Sequence, residues 1–524
     1  MYFWIILGCC LIQIDCTITP KKLNALVILA DDGGFEMGVY RNKICQTPNL
    51  DRLARQSLIF NKAFTSVSSC SPSRAALLTG TPSHQNGMYG LHQGIHNFNS
   101  LSNVNSISNI LKQNGIRTGI IGKKHVGPQE VYPFDFAETE ENNSILQVGR
   151  NITHIKLLTR QFLNTSDPFF LYIGFHDPHR CGHTNPEYGE FCQKFGNGEQ
   201  GMGVIPDWHP IIYQPEQLQL PYFIPNTLEA RIDVAHQYTT ISRLDQGVGL
   251  IIDELKKSGH YDNTLIIYSS DNGIPFPNGR TNLYDSGVAE PLLISSPLHK
   301  ERRNQVTNSL ASLLDIVPTL LDWYGIKDEN NIEENTVGKK FDYLTGKSLL
   351  PLLIKVFGSF EKFNKLGSWE PADKSKEIIF GSHNLHEITM FYPMRMARTQ
   401  RYKLIHNLNY YAPFPIDQDL YLSPTFQDIL NNTKSHKNPM WYKTLQGYYK
   451  RPEWELYDLK YDPAEVNNIV KKNSSQSIFQ NLKKRLNLWQ KQTNDPWICS
   501  PHAVLEDTGS FKNNPQCLDL DNVL

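Results

Sequence analysis

The sequence predicts an α/β protein: a large central, mostly parallel or mixed β-sheet flanked by helices, followed by a smaller C-terminal α+β domain carrying an antiparallel sheet. Three observations predict it. Continuous apolar, β-rich runs each end in a cluster of polar residues, helical stretches lie between them, and the texture changes after about residue 325. At 524 residues the chain is too long for a single ordinary core.

In chain order, Tyr2 to Ile12 is an apolar run broken by Gln13 and Asp15, too short to span a bilayer and of signal-peptide length, so residues 1–16 are read as a secretory leader. Residues 17–375 form the main domain. Its buried strands are LNALVILADD, ending at Asp31 and Asp32; GIRTGIIGKKH, ending at Lys123 and His125; PFFLYIGFHDPH, ending at His176, Asp177 and His179; and NTLIIYSSDNG, ending at Asp271 and Asn272. EPLLISSP (290–297) adds a strand, and LDRLARQSL and ISRLDQGVGLIIDELKKSG read as helices. KDENNIEENTVGKK reads as a surface excursion and EPADKSKE (370–377) as a linker. Residues 376–524 form the second domain, with EIIFGSH, RYKLIHNL and WELYDLKYDP as a small antiparallel sheet and a helix around FQNLKKRLNLWQKQ.

A net charge of -1, from 51 basic and 52 acidic residues, argues against a general nucleic-acid or membrane-surface binder. Five Asn-x-Ser/Thr sequons, at Asn142, Asn151, Asn164, Asn431 and Asn473, agree with a secretory route. No other segment reads as transmembrane. Without Cys9, Cys10 and Cys16 of the leader, the close pairs Cys181 with Cys192 and Cys499 with Cys517 are natural disulfides in an oxidising compartment. Cys45 and Cys70 remain, free or paired with each other.

In open α/β sheets ligands bind at the carboxyl ends of the strands, so four polar tips should converge on one site. CSPSRAALLTG (70–80) supplies an anion-ready element beside them: Ser71 as N-cap, Pro72 at the first helical position and Gly80 as the stop put Cys70 at a helix mouth, with Arg74 one turn on. Cys70 is then either a small buried hydrophobe, half of a disulfide, or a functional group. Asp31, Asp32, Asp271 and Asn272 offer only hard oxygens, a set that suits Ca²⁺ or Mg²⁺ better than zinc. A divalent cation with Arg74, Lys123 and Arg280 favours a tetrahedral anion, a phosphate or a sulfate ester. A plain thiol beside a hard cation is a poor match for either.

CSPSR matches the CxPxR signature of the type I sulfatases, and the chain also resembles that family, of the alkaline phosphatase superfamily, at LADDGG (29–34), TPNLDRLA (47–54), GKKH (122–125), HDPH (176–179) and SDNG (270–273). HQNGMYGLHQ, FHDPHRCGH, SDNGIPFPNGRTNLY and PFPIDQDLYLSPTFQDIL are most similar to the branch that removes N-linked sulfate from terminal N-sulfoglucosamine of heparan sulfate. The resemblance implies that Cys70 is converted by the formylglycine-generating enzyme to Cα-formylglycine, whose hydrate attacks sulfur through one hydroxyl and expels sulfate through the other. It implies one Ca²⁺ on Asp31, Asp32, Cys70, Asp271 and Asn272. It places Arg74, Lys123, His125, His179 and Arg280 around the sulfate, with His179 either the acid for the leaving amine or only a sulfate contact. A lysosomal location and a homodimer are implied as well.

For the sugar, Asp177, Arg180, His383, His386 and Glu387 are candidate contacts. Other readings stay open on the residues alone: a phosphatase or phosphodiesterase of the same superfamily, which would be expected to use Ser or Thr with zinc ligands; an O-sulfatase on another sugar; and a non-catalytic glycan-binding protein.

Overall fold

The computed structural model describes residues 22–165, 168–181, 189–327, 343–354, 361–363, 369–371 and 377–519. The leader, most of KDENNIEENTVGKK and the proposed boundary at 375 lie outside them.

The main sheet takes its strands from across the chain: β1 (Asn24–Ala30), β2 (Leu58–Phe64), β3 (Arg117–Gly122), β4 (Phe136–Thr139), β5 (Phe169–Gly174), β6 (Thr264–Ser270), β7 (Ala289–Ser295), β8 (Gln305–Thr307), β9 (Ala311–Ser312), β10 (Glu361–Phe363) and β11 (Trp369–Pro371). Its order is β10-β11-β8-β2-β7-β6-β1-β5-β3-β4, with β9 pairing β2. The centre, β6-β1-β5-β3, is parallel, while β7 runs antiparallel to both β2 and β6. The sheet is therefore mixed.

β1 shows why its run reads as continuously apolar. Alternate residues face opposite sides of a strand, so Ala25, Val27 and Leu29 join a core beneath the helices Cys70–Thr79 and Ile316–Tyr324, while Leu26, Ile28 and Ala30 join another beneath Ile152–Leu163 and Leu228–Lys257. Both faces are covered.

The second sheet, β12 (Ile378–His383), β13 (Met394–Thr399), β14 (Tyr402–Asn407) and β15 (Trp454–Asp458), is antiparallel throughout. The helix Gln476–Gln492 lays Leu482, Leu486 and Trp489 on Ala397, Leu404 and Leu456 of one face. The other face shares a core with Phe64, Leu283 and Tyr284 of the main unit. That shared core fixes the loop after β14 over the carboxyl ends of β1 and β6.

Element ends depart from the sequence reading in two places. The first helix spans only Pro48–Ala54, because Leu58 already begins β2. The long helix starts at Leu228, capped by the Thr227 side chain, which accepts the Ala230 N–H. Disulfides join Cys181 to Cys192 and Cys499 to Cys517, and Cys45 and Cys70 are both free and buried.

Candidate active site

The parallel register of β1 with β5 and β6, and of β5 with β3, brings four strand ends to one level. Asp31 and Asp32 follow β1, Lys123 to His125 follow β3, His176 to His179 follow β5, and Asp271 and Asn272 follow β6. The helix Cys70–Thr79 opens onto this line. Its first residue is Cys70, with Ser69 at the cap position and Gly80 ending it at φ 71°. Ser71 is not the cap: its hydroxyl accepts the backbone N–H of His92 at 2.8 Å, and Ser69 Oγ instead lies 2.8 Å from His386 Nδ1.

The centre is a buried lattice of opposite charges. Arg74 donates from Nε to Asp271 Oδ2 at 3.0 Å and from Nη1 to the Lys123 carbonyl and the Tyr172 hydroxyl. Its Nη2 lies 2.8 Å from Asp271 Oδ2 and 3.3 Å from Asp31 Oδ1. Lys123 Nζ donates to Asp31 Oδ2 at 2.6 Å, and His176 Nδ1 lies 2.7 Å from the same oxygen. Arg280 Nη1 donates to Asp32 Oδ2 at 2.6 Å, and its Nη2 reaches Asp417 at 2.7 Å and Asp419 at 2.9 Å.

Burial would raise the Asp31 carboxyl, but Lys123, His179 and Arg74 hold it well below the ordinary carboxylate range. Burial pushes Asp271 up to about 8, with Asp31 and Asp32 adding to the rise against Arg74. Burial likewise raises the Cys70 thiol, reinforced by Asp31, Asp32 and Asp271 against Lys123. An unmodified Cys70 is thus held as a thiol and is a poor nucleophile.

The donor set fits a hard cation. Asn272 Oδ1 is buried without a hydrogen-bond donor, Asp31 Oδ1 has only the ion pair to Arg74 Nη2, and Asp32 Oδ1, which accepts from Asn272 Nδ2, faces Cys70 Sγ at 3.9 Å. Ligating atoms of Asp31, Cys70 and Asp271 lie within 4.8 Å of one another, as do those of Asp32, Cys70 and His179. Buried oxygens left without donors are what a calcium-like ion satisfies.

Of the other expected residues, His125 is buried with neither ring nitrogen partnered, and burial together with Lys123 and Arg74 lowers its pKa well below the ordinary value. His179 Nδ1 lies 2.7 Å from the Arg180 carbonyl, an acceptor only, so Nδ1 carries a proton and Nε2 faces Asp32 at 3.6 Å and Asp419 at 3.7 Å. Asp177 and Arg180 correct the sequence reading. Asp177 is fully buried between Arg150 and Arg243, and Arg180 is clamped bidentately by Asp233 at 2.7 and 2.9 Å. Both brace the loop after β5 and have no surface for a sugar. His383 is also buried, its backbone carbonyl accepting from Arg395. His386 and Glu387 do reach the mouth, through Ser69 and the Gln418 N–H.

Asp417 and Asp419 carry no expectation from the sequence, where they stand only within the quoted stretch PFPIDQDLYLSPTFQDIL. Asp417 caps the short helix Gln418–Leu422, accepting the Leu420 N–H at 2.9 Å.

A family model described as Sulfatase matches residues 23–326, more than half of the chain. The chain belongs to the sulfatase family. A second model, described as the C-terminal part of N-sulphoglucosamine sulphohydrolase, matches residues 431–492. This sulfatase is 55% identical over 511 residues to human N-sulphoglucosamine sulphohydrolase, covering 97% of each chain. It is 26% identical to an ulvan-active sulfatase of Formosa agariphila, over 91% of this chain and 81% of that one. Among solved structures, one of a protein in complex with its substrate D-glucosamine-2-N,6-O-disulfate superposes with a TM-score of 0.59 at 21% identity, over 91% of the sulfatase and 99% of that chain. A phosphonate monoester hydrolase from Silicibacter pomeroyi superposes at 0.62 and 15%, over 95% and 99%. The fold is thus shared with both, and sulfatase membership implies a formylglycine nucleophile and a bound metal. Among the described residues no helix is long and apolar enough to cross a membrane.

Proposed function

We propose that this sulfatase hydrolyses the sulfamate of N-sulfoglucosamine at the non-reducing end of heparan sulfate. The observation that carries the reading is the 55% identity to human N-sulphoglucosamine sulphohydrolase, which extends over 97% of both chains and so includes both sheets. Lysosomal residence after secretory entry, a homodimer, maturation by the formylglycine-generating enzyme and a division near residue 375 belong to the same reading.

Asp31, Asp32, Asp271 and Asn272, with the oxygen that replaces the Cys70 sulfur, would hold Ca²⁺; the ion supplies positive charge to a sulfuryl oxygen. Formylglycine at residue 70 supplies, as its hydrate, a hydroxyl nucleophile and a second hydroxyl through which the aldehyde re-forms. The remaining work falls to the chain's own groups. Arg74 and Lys123 keep Asp31 ionised and offset charge growing on the sulfate. His125, with both ring nitrogens unpartnered, is free to hold a proton at the nucleophile's hydroxyls. His179 Nδ1 is engaged by the Arg180 carbonyl, and Nε2 accepts from Arg280 Nη1 at 3.2 Å, so His179 serves the leaving nitrogen once substrate displaces that bond and Nε2 takes up a proton. An amine leaves poorly unless it takes a proton. Nothing in this scheme needs Asp177 to touch the sugar.

The experiment is sulfate release from N-sulfoglucosamine by protein made in a eukaryotic secretory host, beside 6-O-sulfated glucosamine. Preferential release from the sulfamate is expected. Release from the O-sulfate alone would make the chain an O-sulfatase, and release from neither, with an aldehyde present at residue 70, would move the substrate to another class. His179→Ala should lose more rate on N-sulfoglucosamine than on an activated aryl sulfate, whose leaving group needs no proton; equal losses would reduce His179 to a sulfate contact.

A further inference from the structure

The surroundings of Arg280 are acidic in a way that sulfate binding does not explain. Its guanidinium meets three carboxylates: Asp32 at 2.6 Å, Asp417 at 2.7 Å and Asp419 at 2.9 Å. Two suffice to fix an arginine, and a third beside an anion site repels the anion it serves. The three also differ in access. The side chains of Asp32 and Asp417 are 0% and 1% exposed, whereas that of Asp419 is 18% exposed and lies 3.7 Å from His179 Nε2, the atom proposed above to serve the leaving group.

We propose that Asp419 is the residue that selects nitrogen over oxygen at the cleaved bond. A sulfamate and a sulfate ester present the same three sulfuryl oxygens and differ at the bridging atom: the sulfamate nitrogen carries an N–H, and the ester oxygen carries only lone pairs. Asp419 is a carboxylate, all acceptor, set beside His179 Nε2 and Arg280 Nη2. It accepts the N–H of the sulfamate and faces the lone pairs of an ester with nothing to receive. When the S–N bond breaks, its electron pair stays on nitrogen and the nitrogen gains a proton, so the departing amine offers still more N–H to Asp419 while the sulfuryl group passes to the nucleophile. A site built to receive a hydrogen bond rejects an analogue lacking the donor far more strongly than an apolar pocket does. Asp417 caps residues 418–422 and accepts from Arg280 Nη2, and Asp419, whose Oδ2 shares that nitrogen at 2.9 Å, has Oδ1 for the proposed contact. Residues 417–419 lie between the two stretches matched by family models, 23–326 and 431–492.

The proposal rests on the reading that the bond cleaved is S–N. The test uses the full-length mature enzyme and a matched pair, N-(4-nitrophenyl)sulfamate and 4-nitrophenyl sulfate, which share a leaving ring and differ only in N–H against O. Asp419→Asn, which keeps the shape, and Asp419→Ala, which removes the acceptor, should each lower kcat/KM on the sulfamate by about 10- to 100-fold while changing the ester by less than about threefold. Equal losses on both substrates would make Asp419 a positioning residue for Arg280 and overturn the proposal, and so would no loss on either. Failure of the wild-type enzyme on N-sulfoglucosamine would instead count against the sugar substrate, since the aryl pair reads the bridging atom without it.

Discussion

Arg74 grips a single oxygen of Asp271 from two nitrogens, Nε at 3.0 Å and Nη2 at 2.8 Å, and neither side chain is exposed. The same guanidinium also holds the Lys123 carbonyl and the Tyr172 hydroxyl. A lysine carries the charge but not the planar fork, and cannot make these contacts together. Arg74→Lys should therefore lower kcat/KM by roughly 100-fold, and Arg74→Ala, which leaves buried carboxylates unpaired, should also destabilise the fold by about 3–5 kcal/mol. Steady-state rates with chemical denaturation of both variants check this; wild-type-like rates in the lysine variant would remove Arg74 from charge stabilisation.

Cys70→Ser tests the nucleophile apart from the fold. Serine fits the space at the helix start, so the melting temperature should stay within a few degrees of wild type. Turnover should drop by roughly 1,000-fold or more, because serine lacks the second hydroxyl through which sulfate leaves. The mass of the tryptic peptide covering residues 63–74 reports the aldehyde in wild type and its absence in the variant.

Removing the cation should loosen the same cluster. Asp31, Asp32 and Asp271 are fully buried, ligating atoms of Asp31, Cys70 and Asp271 lie within 4.8 Å of one another, and a bound divalent ion stabilises the folded state in proportion to its occupancy. A chelator should lower both the melting temperature and activity, and Ca²⁺ should restore them. Asn272→Ala, which deletes the unpartnered Oδ1, should shift the Ca²⁺ titration at least about tenfold to higher concentration.

Acid stability can be read at His84, whose neighbours are Thr493, Asp495 and Arg395 and not the metal cluster. It is 2% exposed, its Nε2 lies 2.7 Å from Thr493 Oγ1, and burial pushes its pKa from the ordinary 6.5 down to about 3. The folded protein keeps the ring neutral where the unfolded chain takes up a proton. Its contribution is complete above about pH 6.5 and is lost as pH falls toward 3, reaching about 2 kcal/mol at about pH 5. Denaturation of wild type and His84→Gln across this range should show the wild type losing the extra stability; parallel curves would count against a neutral buried ring.

Much of the centre was legible because strand ends carry chemistry in open α/β sheets. Asp31, Asp32, Lys123, His125, His179, Asp271 and Asn272 were all visible as polar ends of apolar runs. The same logic overreached at Asp177 and Arg180, which also follow β5. Whether such a residue faces ligand or scaffold depends on partners from distant segments, here Arg150, Arg243 and Asp233, and no local pattern records them. Asp417 and Asp419 were missed for the opposite reason: they reach the site only because the second sheet packs on Phe64 and Tyr284 and carries its loop across.

Cys70 is 2% exposed, at the start of its helix, with Asp32 against its sulfur and the neighbouring Ser69 held by His386. If, as proposed, a modifying enzyme oxidises this residue, the folded molecule offers it almost no surface to grasp. On the proposed reading that Cys70 is converted to an aldehyde, the conversion would precede the packing of residues near 386 and 419 around the helix mouth. Variants that speed closure would yield well-folded, secreted and inert protein, so abundance and activity can part company without any change in the site itself.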